Sequence, residues 1–290
     1  MKGMIALAAA AAALACCSPR GGPTELALRL RPGTSMRFVL SASQDISQSM
    51  GGRTLVVTQE TRAEYRFEVR EASSDGRLTV HAFYEAIALS TRSPAGTLSW
   101  DSRAPEKGTA ALRPMGELVG EGCDFIVSPR GEVEEVQGVE RLAERIASGS
   151  GEGGATGAAP PIRWLSSESV ASDLAVFFCP FPGGKVALGE SWQTERSDGS
   201  GLGLRIRNTW RLIRRSKGTA EVTLASVIGP RSEPAPASGL SGTQRGTFTV
   251  QLATGRVLSA RIDQAIGGTI VARGVPVAMD IRGRIHVSAE

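Results

Sequence analysis

Five places in this chain carry residue types able to do chemistry: Cys123 and Cys179, the run Trp100-Asp101-Ser102-Arg103, His81, His286, and the glycine-rich stretch Gly199-Ser200-Gly201-Leu202-Gly203. A serine nucleophile needs a base within hydrogen-bond reach. Only the two histidines could supply one, and no Gly-Xaa-Ser-Xaa-Gly elbow surrounds Ser102, so Asp101 is expected to cap backbone donors of a turn instead. Neither histidine has a Cys or a carboxylate at ligand spacing, which points to satisfied surface or half-buried side chains rather than metal ligands. The glycine stretch lacks a following Lys-Ser or Lys-Thr and opens no helix; it reads as a hairpin tip, not a phosphate loop. The expectation is a chain with no catalytic residue, no metal and no cofactor. In an oxidising compartment Cys123 and Cys179 would form a disulfide, worth roughly 4 kcal/mol in the chain-entropy picture. Two buried free thiols are the other reading.

The compartment is read from the first seventeen residues. Lys2 gives a positive start, Ile5 to Ala15 form an apolar run, and small residues lead into Cys16 and Cys17. That run falls well short of the roughly 20 residues that span a bilayer, so it reads as a leader rather than a membrane span. The cysteines make it resemble a bacterial lipoprotein signal, cut before a Cys that is then acylated. Cys16 has the better small residue before it, Ala15; Cys17 has Leu14 three positions back. Cys16 is favoured and both remain candidates for lipidation. Two or three acyl chains on a polar spacer, Ser18 to Thr24, hold a domain at a membrane. Neither Cys17 nor Ser18 is Asp, which leans toward the outer membrane, facing the periplasm or the cell surface.

Basic residues number 33 against 29 acidic, and they are interspersed rather than gathered in a stripe. Nucleic-acid binding is therefore not expected. Aromatic content of 5% argues against a carbohydrate platform of stacked rings. Arg205, Arg207, Arg211, Arg214 and Arg215 lie close together on a strand pattern, where several would share a face. Such a face is either a solvated sheet exterior or a contact for anionic lipid headgroups.

The elements that must position these residues are mostly strands. Leu26-Ala27-Leu28-Arg29-Leu30 alternates, Arg31-Pro32-Gly33-Thr34 turns, and Met36 to Ala42 resumes. Leu55 to Gln59 and Ala63 to Glu71 read as strands, with Ser73-Ser74-Asp75-Gly76 as a hairpin turn into Leu78 to Leu89. In the middle, Val136, Val139, Leu142 and Ile146 recur at helical steps. A Gly/Ser/Ala run from Ala147 to Ala159 follows and is expected to be flexible, and a second helix starts at Ser166 or Ser167 and runs through Val170, Leu174 and Phe177 to stop at Pro180. The β-rich parts on either side look alike. Gly33-Thr34-Ser35-Met36 matches Gly189-Glu190-Ser191-Trp192. The hairpin at Gly76 matches the one at Gly218, and Phe125-Ile126-Val127 with Gly131-Glu132-Val133 matches Phe248-Thr249-Val250 with Gly255-Arg256-Val257.

Several of these residues, with Leu28 to Gly33, Gln44 to Gly52, Trp100-Asp101-Ser102, Phe181-Pro182 and Gly242 to Gly246, resemble a family of bacterial lipoproteins of unknown function. The resemblance covers nearly the whole chain and implies no activity that could be carried over residue by residue.

The resulting expectation is a mainly β fold: a large antiparallel curved sheet, or half-barrels, built from two similar β halves with two short helices between them. The segments are 1–15 signal, 16–24 tether, 25–135 first half, 136–180 helix, Gly-rich loop and helix, and 181–290 second half. The expected role is a non-catalytic cell-envelope lipoprotein, anchored to the membrane by its N-terminal lipid, that binds another envelope protein or is structural. The alternative is a carrier or sensor of a hydrophobic ligand such as a lipid, held in a cavity of the β structure.

Overall fold

In a computed structural model, residues 22–149, 166–197, 199, 203–231, 239–272 and 274–290 are described. Cys16, Cys17, the leader and most of the Gly-rich segment lie outside them. The strands are β1 (Thr24–Glu25), β2 (Ser35–Met50), β3 (Arg53–Ala72), β4 (Leu78–Ser93), β5 (Gly96–Asp101), β6 (Gly122–Val127), β7 (Val133–Gln137), β8 (Lys185–Val186), β9 (Ser191–Ser197), β10 (Leu204–Ser216), β11 (Thr219–Pro230), β12 (Ser241–Gln251), β13 (Val257–Ala272) and β14 (Val275–Ala289). Two α-helices, α1 (Val139–Gly149) and α2 (Ser167–Leu174), stand between β7 and β8. Ser166 caps α2, its hydroxyl accepting from the Ser169 amide at 3.1 Å, which satisfies one of the orphan donors of a helix start.

Twelve strands form one antiparallel sheet in the order β7-β6-β4-β3-β2-β14-β13-β12-β11-β10-β9, with β5 beside β4. The sheet does not close. It is a meander whose first and last long strands, β2 and β14, are neighbours in its middle, paired from Phe38↔Ala289 to Ser49↔Ala278. The gap falls instead between β7 and β9, where the chain inserts the helices. The two halves are thus one continuous sheet rather than two.

The likeness of the halves extends to individual hydrogen bonds. Gly33 N–H donates to Val69 and Val69 N–H to Thr34. In the second half Gly189 N–H donates to Leu212 and Leu212 N–H to Glu190. Each of these strands then bulges one step later, at Val69/Glu71 and at Leu212/Arg214. At the other correspondence the register shifts between Ile126 and Val127 in β6 and between Thr249 and Val250 in β12, followed by turns at Gly131 (φ 77) and Gly255 (φ 72).

Two local readings are corrected, and one element was not foreseen. Leu26 to Leu30 alternates but is not a strand. Its leucines are buried, while Leu28 N–H donates to Pro129 O and Arg29 N–H to Thr254 O, both at 2.8 Å. The segment is a strap across one end of the sheet, tying the β6–β7 turn to the β12–β13 turn; alternation reported its two-sided environment, not sheet membership. Val136 belongs to β7 rather than to the helix, since Gly138 (φ 85) breaks the chain direction before Val139. A 3-10 stretch, Ala110–Leu118, buries Met115 and Leu118 and lays Gly116 against the Trp100 indole. Pro114 inside the stretch argues against a regular α-helix there.

One face of the sheet, called inner here, buries Met36, Phe38, Phe67, Trp210, Leu212 and Phe248. In the first half this face is filled: Phe67 touches Phe38, Phe125 and Phe177 with ring centroids 5.0–5.6 Å apart, and Val139, Leu142 and Ile146 of α1 join the same core.

The expected disulfide is not formed. Cys123 and Cys179 are both free and buried. Cys123 faces in from β6 opposite Ala82, beside Tyr65 and Tyr84. Cys179 follows Phe178 on the segment leaving α2, with its carbonyl against Gly131. The thiols fill separate places in the core, as small apolar side chains do. Burial pushes the Cys123 thiol up to about 11 and raises that of Cys179 further, so neither forms the nucleophilic thiolate. Differential alkylation with peptide mapping is expected to leave both cysteines unlabelled in the native protein at pH 8 and to label both after denaturation without reductant. Labelling that requires reductant would restore the disulfide.

Candidate functional site

Helix α2 separates a filled space from an open one. Val170 and Leu174, with Phe177 one step beyond the helix, point toward the aromatic core of the first half. The other side of the helix presents Ala171, Ser172 and Ala175, whose small side chains leave room. Facing them across about 330 Å³ is the inner face of the second half: Trp210 of β10, Leu224 of β11, Phe248 of β12, Ile262 of β13 and Ile285 of β14. Trp210 and Phe248 meet edge to face at 5.1 Å, and the Trp210 indole N–H donates to Thr194 Oγ1 at 2.9 Å. The volume lies in the range of small-molecule pockets, roughly 300–1,000 Å³.

A row of polar residues bounds this apolar floor. Across the pairing register, β9 to β13 contribute Thr194, Asn208, Ser226, Gln244 and Gln264 side by side. The row continues through Gly283, Gln44, Gln59 and Thr91 on β14, β2, β3 and β4. It is uncharged throughout. Asn208, Ser226 and Gln244 are buried, and they satisfy one another: Ser226 Oγ donates to Asn208 Oδ1 (2.7 Å), Asn208 Nδ2 to Thr194 Oγ1 (3.3 Å), and Gln244 Nε2 to Gln264 Oε1 (3.1 Å). Gly283 leaves the space that the Gln264 amide occupies; a Cβ there would lie 2.7 Å from Gln264 Nε2. On the far side of the belt the register runs Ile206, Ile228, Ile266, Ile281 and Ile46, apolar again.

Charged residues line the cavity at its α2 edge and at Glu132 of the β6–β7 turn. Arg196 donates to Ser172 Oγ at 2.5 Å, and Glu168 and Glu195 stand nearby. Behind the helix, Asp173 shares a recess with Tyr65, Tyr84 and Cys123. Desolvation pushes the Asp173 carboxyl up to about 6, with the Arg196 charge opposing, and raises the Tyr84 hydroxyl to about 12.

The remaining sequence candidates lie elsewhere. Asp101 Oδ1 accepts from the Arg103 amide at 2.8 Å, the expected cap, and Ser102 Oγ accepts from the Ile87 amide at 3.0 Å, with no histidine hydrogen-bonded to it among the described residues. His81 Nδ1 is 2.9 Å from Asp124 Oδ1, which also pairs with Arg70. His286 is exposed on β14. Among the described residues no three His, Cys, Asp or Glu side chains stand together as a metal site would need. Gly199 and Gly203 flank a stretch outside the described residues between β9 and β10. Arg205, Arg207 and Arg211 share the outer face of β10, and the bulge at Leu212/Arg214 keeps Arg214, opposite Glu221, on that face while Arg215 stands opposite Ala220 on the other. Arg205 pairs with Glu195, Arg214 pairs with Glu221, and Arg211 donates to Gly189 O. The sequence reading named a cavity of the β structure as its alternative but assigned no residue to it, and it missed the belt. The signal was there: Asn208, Ser226, Gln244 and Gln264 each interrupt an otherwise apolar inner alternation.

The sequence profile of a family of unknown function, DUF6263, matches residues 75–257, from the β3–β4 turn to the first residue of β13. The chain belongs to this family. The DUF6263 match spans most of the cavity floor and all of α2. No curated protein matches the sequence. Among solved structures, one of lipid–protein interactions in lipovitellin aligns at TM-score 0.49 and 10% identity, over 90% of this chain and 25% of that one. The chain therefore spans about a quarter of lipovitellin's length. DynF from the dynemicin biosynthesis pathway of Micromonospora chersina aligns at TM-score 0.23 and 7% identity, over 93% of this chain and 90% of that one. A DUF1329 family protein from Desulfovibrio piger aligns at 0.13 and 12%, over 87% and 83%.

Proposed function

We propose that this protein is a non-catalytic, lipid-anchored envelope protein that holds a single-chain amphiphile between α2 and the second half of its sheet. The observation that carries the reading is the 330 Å³ cavity with an aromatic and aliphatic floor and one polar edge. An apolar chain laid on Trp210, Leu224, Phe248, Ile262 and Ile285 buries its surface at about 25 cal/mol per Å², while Asn208, Gln244 and Arg196 at the rim meet a polar end. A site of this composition orients a ligand without activating a bond. The leader ending at Cys16 and Cys17 supports the envelope address, and a lipid-rich surrounding would supply such a ligand.

The test is native mass spectrometry of the full chain carrying Cys16→Ser and Cys17→Ser, purified from cells, together with titration of a dansylated fatty acid. Bound amphiphile mass and saturable dye fluorescence are expected. Ala171→Phe, which fills the cavity from the helix side, is expected to abolish both while leaving the circular dichroism spectrum unchanged. A bare polypeptide that takes up no dye, or uptake undiminished in a folded Ala171→Phe variant, overturns the proposal.

A further inference from the structure

The end of the sheet opposite the strap carries an apolar fringe that the cavity does not use. Of the nine large apolar side chains exposed among the described residues, six sit at three hairpins: Val271 and Val275, then Met50, Leu55 and Val56, then Leu98. These are the β13–β14, β2–β3 and β4–β5 hairpins, and the sheet order places their strands consecutively. The clustering is therefore spatial, produced by register rather than by sequence proximity. Exposed aliphatic side chains gathered at the ends of neighbouring strands, here on both faces of the sheet, mark an interaction site.

We propose that the three hairpin tips dip into the surface of an anionic lipid bilayer. Three observations select this occupant over a protein groove. The fringe lies on tips rather than on a flat face, and the hairpins pair their own backbone groups to within one or two residues of each turn, as at Met50↔Arg53, Ala272↔Val275 and Ser93↔Gly96. Paired backbone is what allows strand ends to enter a medium without hydrogen-bonding water. The exposed side chains are aliphatic, and among the described residues no exposed Trp or Tyr of the kind that dominates protein interfaces stands with them. Finally, Arg53 and Arg92 flank the tips, both exposed and neither in an ion pair among the described residues. They sit where headgroup phosphates would meet them. The fringe is also continuous with the interior: on β14 every second residue from Val275 to Ile285 faces inward, through Val277, Met279 and Ile281, interrupted only by Gly283. That track ends at Ile285 on the cavity floor.

The experiment places an environment-sensitive NBD label at Val56→Cys in the full chain carrying Cys16→Ser and Cys17→Ser, with Lys217→Cys at the opposite end as the comparison site. Vesicles of phosphatidylcholine and phosphatidylglycerol with nitroxide-labelled acyl chains are added. The label at 56 is expected to shift blue and be quenched, and the label at 217 to do neither. Arg53→Glu with Arg92→Glu is expected to weaken partitioning onto these vesicles by at least about tenfold, and to leave binding to pure phosphatidylcholine unchanged. No quenching at 56, or equal quenching at both positions, overturns the proposal, as does an undiminished affinity of the double charge variant. Because dye uptake by the cavity is measured without vesicles, failure here leaves the amphiphile reading to its own test.

Discussion

Replacing Phe67 by Ala is expected to destabilise the protein by about 3–5 kcal/mol, the range for removing a buried aromatic ring from a packed core. Phe67 is fully buried and meets Phe38, Phe125 and Phe177 at centroid distances of 5.2, 5.6 and 5.0 Å. Its removal leaves a void that cannot collapse readily, because β2, β3 and the segment following α2 are held by separate hydrogen bonds. Phe67→Leu restores much of the volume and is expected to cost less than half as much. Urea unfolding followed by tryptophan fluorescence measures both. A Phe67→Ala loss below about 1 kcal/mol would mean that the helical segment is not docked on the sheet as described.

Gly255→Ala is expected to cost about 3 kcal/mol or more for a different reason. Gly255 has φ 72, where an L residue is strained by about 1–2 kcal/mol. A Cβ there would also lie 2.3 Å from the Ala27 carbonyl oxygen, and a backbone atom cannot rotate away. The strap must shift, and with it the buried Leu26, Leu28 and Leu30. Gly218→Ala separates the two contributions: its φ is 78 but nothing lies within 4 Å of the added carbon. It is expected to lose only the conformational part. Equal losses in the two variants would show that the strap does not press on Gly255. Increased protease cleavage near residue 27 in Gly255→Ala alone would show directly that the strap has lifted.

What the sequence made legible follows the range of the interactions involved. Turns at Gly76, Gly131, Gly218 and Gly255 and the helix start at Ser166 are local, and four or five residues determine each. The repetition of Gly33-Thr34 as Gly189-Glu190 was readable because the same short hydrogen-bond pattern imposes the same residues twice. The β2–β14 pairing was not readable, since no turn joins those strands and the choice rests on how the remainder of the sheet is laid out. The belt was hidden for a related reason. Gln44, Ser226 and Gln264 are distant along the chain, and only the register of the intervening strands shows that they stand in one row. The cysteine pairing failed on compartment reasoning: an oxidising environment permits a disulfide, but the core packing decides where each sulfur sits, and here the two sulfurs are apart.

The adjacency of β2 and β14 has a consequence for biogenesis. A ribosome releases β2 well before β14, so the central seam of the sheet can be sewn only once β14 has emerged. Until then β2 offers a bare row of amides and carbonyls to any passing strand, and slow non-local closure lengthens that exposure. A chain truncated before Val275 would keep that row permanently unpaired and is bound for chaperones or aggregates, so completeness of synthesis is checked by the geometry itself.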